Sequence, residues 1–142
     1  MTTIADLAND LLTKVSTTSI GNNVGIAAGA KGNDPSMRKA TKPSAWIVYT
    51  GSQNNATTTF PNCNTPVINR FAIITIVAYG TQTEMLSTNY PYLDEVVDAI
   101  HNVASDITGF GESWNWDSTT LDSIDKDRLV YNINVSIISQ KS

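Results

Sequence analysis

The sequence predicts an α+β domain: a largely antiparallel sheet of four to five strands with two helices packed on one face, in the order α-β-β-β-α-β-β. Two sets of apolar residues recur at three- and four-residue spacing, Ile4, Leu7, Ala8, Leu11, Leu12 and Val15 near the start and Leu93, Val96, Val97, Ile100, Val103, Ala104 and Ile107 later. Each set lines one face of a helix. Around the second helix stand the extended apolar runs "AWIVYTG", "RFAIITIVAYG" and "RLVYNINVSIIS".

The first helix starts at a Thr2 or Thr3 cap, with Asp6 suited to the positive end of the helix dipole. "SIGNN" ends it, and "VGIAAGA" reads as a short strand weakened by glycine. "KGNDPSMRKATKPS" is a loop with four basic groups, and Ala45 to Thr50 form the next strand. "SQNNATTTFPNCNTPV" is polar, broken by proline and without period, so the single domain spanning 1–142 carries long loops at about 31–44 and 51–67. The central strand follows, and "TQTEMLSTN" is a connection. Tyr90 to Ile107 is the second helix, with Pro91 in its first turn and Gly109 as its stop. "ESWNWDSTTL" and "RLVYNINVSIIS" are two strands joined through "DSIDKD". In the last of them Leu129, Tyr131, Ile133, Val135 and Ile137 share a dry face, while Asn132, Asn134 and Ser136 face water.

Charge and cysteine content narrow the function classes. Lys and Arg total 9 against 13 Asp and Glu, a net charge of -4, so the chain has no general attraction for nucleic acid or an anionic membrane. The total hides a split. Residues 1–70 carry six basic and three acidic side chains, a balance of +3; residues 71–142 carry three basic and ten acidic ones, a balance of -7. Cys63 is the single cysteine, which fits a reducing compartment. The opening "MTTIADLANDLL" has no basic region followed by an apolar run, so no signal peptide is expected. No apolar run approaches the roughly 20 residues needed to cross a bilayer.

The search for catalysis ends without a constellation. His101 is the single histidine, and Cys63 has no base brought near it by sequence, so both read as bland. "GIAAGAKGN" lacks the glycine spacing and the Lys-Ser/Thr pair of a phosphate loop. Asp122, Asp125 and Asp127 in "DSIDKD" do not have calcium-loop spacing and read as a solvated turn. No metal site, cofactor or enzymatic activity is predicted. Trp114 and Trp116 fall on one side of a strand and are either core or a contact surface. Lys31, Arg38, Lys39 and Lys42 are either a solvated loop or an electrostatic docking arm.

The stretch "NRFAIITIVAYG" is apolar at odd positions (Phe71, Ile73, Val77, Tyr79) and at even ones (Ala72, Ile74, Ile76, Ala78). Two one-sided helices shelter only one of those faces. The long loop, a folded-over Trp hairpin or a second subunit is needed for the other, and a homo-oligomer is the favoured answer, since wetting an Ile-sized side chain forfeits about 1.5–3 kcal/mol.

The helix "TIADLANDLLTKV", the strand "RFAIITIVAYG", the helix "YPYLDEVVDAIHNV" and the closing strand "RLVYNINVSIIS" together resemble the tail terminator (tail completion) proteins of tailed bacteriophages. The resemblance is one of pattern and covers about half the chain. It implies a hexameric ring that binds the last ring of the tail-tube protein, stops polymerisation and offers a surface to a neck or head-completion protein. It also implies a place in the virion tail or neck, assembly in the host cytoplasm, and DNA passing through the lumen without specific binding. The family brings no catalytic residues. Lys31, Arg38, Lys39 and Lys42 are the expected docking arm, Asp122, Asp125 and Asp127 its acceptors, and Trp114 and Trp116 the contact aromatics. A head-closure or tail-tube protein, or a small-ligand-binding α+β module, is the alternative.

Overall fold

A computed structural model describes residues 3–21, 23–26, 43–54, 65–78, 80–105, 112–125 and 128–141. The first helix, α1 (Ile4–Ser16), begins with a capping box in which the Thr3 hydroxyl accepts from the Asp6 amide and the Asp6 carboxylate accepts from the Thr3 amide, both at 3.1 Å. The bond from the Thr3 backbone holds the Asp6 carboxyl below the usual carboxylate range. Of the predicted stripe, Leu7, Ala8, Leu11 and Val15 are buried, Leu12 is half-buried and Ile4 is exposed.

Among the described residues five strands form one sheet: β1 (Val24–Ile26), β2 (Ser44–Asn54), β3 (Thr65–Ala78), β4 (Asn115–Asp125) and β5 (Arg128–Lys141), in spatial order β1-β2-β3-β5-β4. Of these, the three-residue β1 runs parallel to its neighbour, and the other pairings are antiparallel. The predicted class and element order hold. Strand limits differ, because Gly51–Asn54 continues β2 and Thr65–Val67 opens β3, which shortens the expected loop at both ends. Polar side chains there are compatible with a strand because their backbones pair with one another, Asn54 with Val67 and Ser52 with Asn69.

The second helical segment begins and ends earlier than the periodicity suggests. It runs as α2 (Gln82–Glu84), a π-helical turn (Met85–Asn89) and α3 (Tyr90–Ile100). "TQTEMLSTN" is therefore largely helix rather than a connection. The π turn ends at Asn89, two residues before Pro91, whose ring would crowd the carbonyl four residues back in a regular helix, and a wider turn there relieves that crowding. His101 is extended and Asn102 has φ 61°, so Val103 and Ala104 leave the helix. Their backbone is used elsewhere: Asn102 N donates to Trp114 O, Trp114 N to Val103 O and Ser105 N to Glu112 O. Ile107 and Gly109 lie outside the described residues.

Both helices lie on one face of the sheet. Leu7, Leu11 and Val15 of α1 and Leu93, Val96 and Ile100 of α3 form one core with Ile47, Phe71, Ile73, Ile133, Val135 and Ile137. The Glu95 carboxylate ties the helices by accepting from the amide and hydroxyl of Ser19, each at 3.0 Å.

The opposite face corrects an expectation. Within a single chain Ala72 is 7 % exposed, Ile76 1 % and Val130 2 %, so that end of the face does not wait for another subunit. Ile76 stands in the middle of the sheet between Ser44 and Val130. Ile74, Trp46, Val48 and Ile138 remain half-buried. Ile26, Tyr49, Trp116, Leu121 and Ile124, large apolar side chains left in water, lie instead at the margins of the helix-bearing face, and Ile4, Leu86 and Tyr90 are exposed on the helical segments.

Candidate interaction surface

Strand β4 is an edge strand, paired among the described residues with β5 alone. Two bulges interrupt it, between Trp116 and Ser118 and between Leu121 and Ser123. The extra residue in each is an aspartate, Asp117 and Asp122, and both are exposed. A bulge adds one residue and so shifts the alternation of the side chains that follow. As a result Trp116, Thr119, Leu121 and Ile124 stand opposite Val135, Ile133, Tyr131 and Leu129, all on the helix-bearing face. Beyond the reach of the helices this row stays wet: Trp116 is 40 % exposed, Leu121 48 % and Ile124 62 %.

Trp116 is held rather than loose. Its indole N–H donates to Thr119 Oγ1 at 2.9 Å, its backbone N–H donates to His101 Nδ1 at 3.1 Å, and the two rings meet edge to face at 6.3 Å. An aromatic anchor fixed before binding loses little entropy on contact. Behind the strip, burial pushes the Tyr131 hydroxyl above the ordinary tyrosine value, with Tyr90, a hydrogen-bond partner, adding to the shift.

Trp114 belongs elsewhere, and its assignment as a contact aromatic is corrected. It is 0 % exposed and stacks edge to face on Phe71 at 5.8 Å. Its indole N–H donates to Asp10 Oδ2 at 2.7 Å, while Asp10 Oδ1 accepts from Lys14 Nζ at 3.0 Å. This buried polar cluster pins the strand-side aromatic to α1, and nothing in the local sequence singled out Asp10 or Lys14.

Asp122 is exposed on β4 and not in a turn, since "DSID" belongs to the strand. Asp125 closes the β4–β5 pairing opposite Arg128. The Asp125 side chain, Asp127, Lys31, Arg38, Lys39, Lys42 and Cys63 lie outside the described residues. Leu121 and Ile124 escaped the sequence reading because bulges break the period of two on which strand recognition depends.

The other face carries an open depression of about 340 Å³ lined by residues that include Arg70, Asp117, Ser118 and Asn134. It lies where β2 and β4 are both bulged, beside Phe71 and Val135. Asn134 donates to Ser118 and Ser136 to Asp117, so the polar side chains satisfy one another. Among the described residues no group of three or more His, Cys, Asp and Glu side chains could hold a metal ion, and no helix is long and apolar enough to cross a membrane.

No family model matches this sequence, and no curated protein matches it. A solved structure does match in shape: a chain of "Virion of native gene transfer agent (GTA) particle", with a TM-score of 0.63 over 94 % of both chains at 9 % identity. The likeness is one of fold. It extends over nearly the full length of both chains, so the α+β arrangement described above is one that a virion-particle chain also adopts.

Proposed function

We propose that this chain is a structural protein of a phage-like virion, and within that class a tail terminator. The observation that carries the reading is the shared fold over nearly the full length of both chains with a component of a gene transfer agent virion. The resemblance of the helices and closing strands to tail terminators points the same way. The exposed strip on β4 supports it, because a contiguous apolar row fixed on a rigid sheet is what a protein that works by assembly presents.

In this role the chain forms a hexameric ring in the virion neck. One ring face reproduces the stacking surface of the tail tube and the other withholds it, so tube growth stops and a neck or head-completion protein can bind. Lys31, Arg38, Lys39 and Lys42 serve as a docking arm, and the work is done by contact rather than by catalysis. The net charge of -4 lets DNA pass the lumen without being held.

The test is native mass followed by capping. The purified protein is expected to run near six times the 15.3 kDa of the chain and, added to polymerising tail-tube subunits, to shorten the tubes. Spontaneous growth into tubes would assign it to the tube instead. A monomer at every concentration, without effect on tube length, would overturn the proposal.

A further inference from the structure

On the face of the sheet away from the helices, the open depression of about 340 Å³ carries one charge of each sign. Arg70 of β3 and Asp117 of β4 both line it, together with Thr50, Ser118 and Asn134. β5 lies between β3 and β4, which sets the two backbones about 10 Å apart. Each charge is held away from the other. The Arg70 guanidinium donates to Gln53 Oε1 at 3.2 Å, on the β2 side, and Asp117 Oδ1 accepts from the Ser136 hydroxyl at 3.2 Å. Among the described residues neither forms an ion pair. A guanidinium has five N–H donors and a carboxylate two oxygens, so much of their bonding capacity is left over. Beside Arg70 the sheet is hollow: opposite it stands Gly51, where an added methyl group would meet no atom within 4 Å, and the next side chain on that face of β3 is Ala72.

We propose that this depression binds a small zwitterion, an amino acid whose carboxylate and ammonium groups are several bonds apart, with the carboxylate on Arg70 and the ammonium on Asp117. The site is separate from the exposed β4 strip, which lies on the other face, and goes beyond the assembly role. Charge selects the ligand. A simple anion drawn to Arg70 meets the repulsion of Asp117, and a simple cation drawn to Asp117 meets that of Arg70. A molecule with one charge at each end is attracted at both. The bulge in β4 builds the acidic side of the site, because it sets Asp117 and Ser118 in succession on this face, the first bonded to Ser136 and the second to Asn134. Asn134 donates its amide N–H to Ser118 and keeps its carbonyl oxygen as a further acceptor for the ammonium. Two charge-assisted contacts in an open site correspond to a dissociation constant on the order of 1–10 mM.

γ-Aminobutyrate tests this against butyrate and butylammonium, which share its carbon chain and each lack one of its charges. In amide NMR spectra of the isotope-labelled protein at constant ionic strength, γ-aminobutyrate is expected to give saturable shifts at Gly51, Phe71, Ser118 and Asn134. Butyrate and butylammonium should bind at least about tenfold more weakly. Arg70→Gln and Asp117→Asn, both at exposed positions, should each weaken γ-aminobutyrate by a similar factor, about tenfold, while melting curves stay as in wild type. The comparison of the three ligands on the wild-type protein needs no variant, so it decides the matter even where a substitution disturbs folding. Butyrate or butylammonium binding as well as γ-aminobutyrate would overturn the proposal and leave a site for simple ions. The absence of any saturable shift, or binding that survives both substitutions, would overturn it as well.

Discussion

Asp10 shows how far a residue's role can lie from its local sequence. An Asp–Lys pair four residues apart on an exposed helix face is worth a few tenths of a kcal/mol. In the fold Asp10 is 6 % exposed and receives an indole hydrogen bond from a residue 104 positions away. Buried charges are tolerated when paired and hydrogen-bonded, and this one is both. Thr75 is the opposite case. It is 0 % exposed on the helix-bearing face, and its hydroxyl has no hydrogen-bond partner among the described residues. Thr75→Val keeps the shape and removes the unsatisfied group, so it should raise the unfolding free energy by about 1 kcal/mol. Urea denaturation reads this as a higher midpoint at unchanged slope; a lower midpoint would mean that the hydroxyl is satisfied after all.

Among the elements, the strands with bulges decide the most. β2 and β4 flank the β3–β5 pair, and each is bulged near the level of Phe71 and Val135. Bulges bend a strand and add twist, so the sheet is kinked on both sides at about one level. In β2 the extra residue is Thr50 and the next is Gly51 at φ 147°, a backbone conformation that an L side chain adopts only with strain. Gly51→Ala should therefore cost about 1–3 kcal/mol even though no atom lies within 4 Å of the added methyl group. Thermal melting would show the loss. An unchanged midpoint would mean that the bulge can relax at no expense. The sequence shows a glycine after a strand and cannot show this, because a bulge is defined by what lies opposite. The early end of α3 has the same character. The apolar spacing continues to Ile107, but Val103 and Ala104 give their backbone to the segment at 112–114, which brings Trp114 into the core.

At the scale of the whole molecule, the acidic half of the sequence gathers the exposed carboxylates of Asp94, Asp98, Asp117 and Asp122 on α3 and β4, while residues 1–70 carry a positive balance by sequence. Charges at an exposed rim act mainly on the rate of encounter and are screened beyond about 10 Å at 0.1 M salt. Ring assembly should accordingly slow by about tenfold or more between 0.05 and 0.5 M salt while the final ring mass stays the same, an effect visible by stopped-flow light scattering. A rate indifferent to salt would leave the apolar strip as the sole driver.

What the sequence determined by itself is the class, the order of elements and the buried stripe of each helix, because these follow from periodicities of 3.6 and 2 within single segments. The dry row of β5 was legible for the same reason, whereas β3, apolar on both faces, did not show which row meets the helices. Only the tertiary structure decided where the wet apolar surface lies. Ile76 and Val130, which the strand pattern left open, are buried, and bulges carry Trp116, Leu121 and Ile124 onto one exposed row. Burial depends on neighbours that the chain brings together from afar, and no local pattern records them.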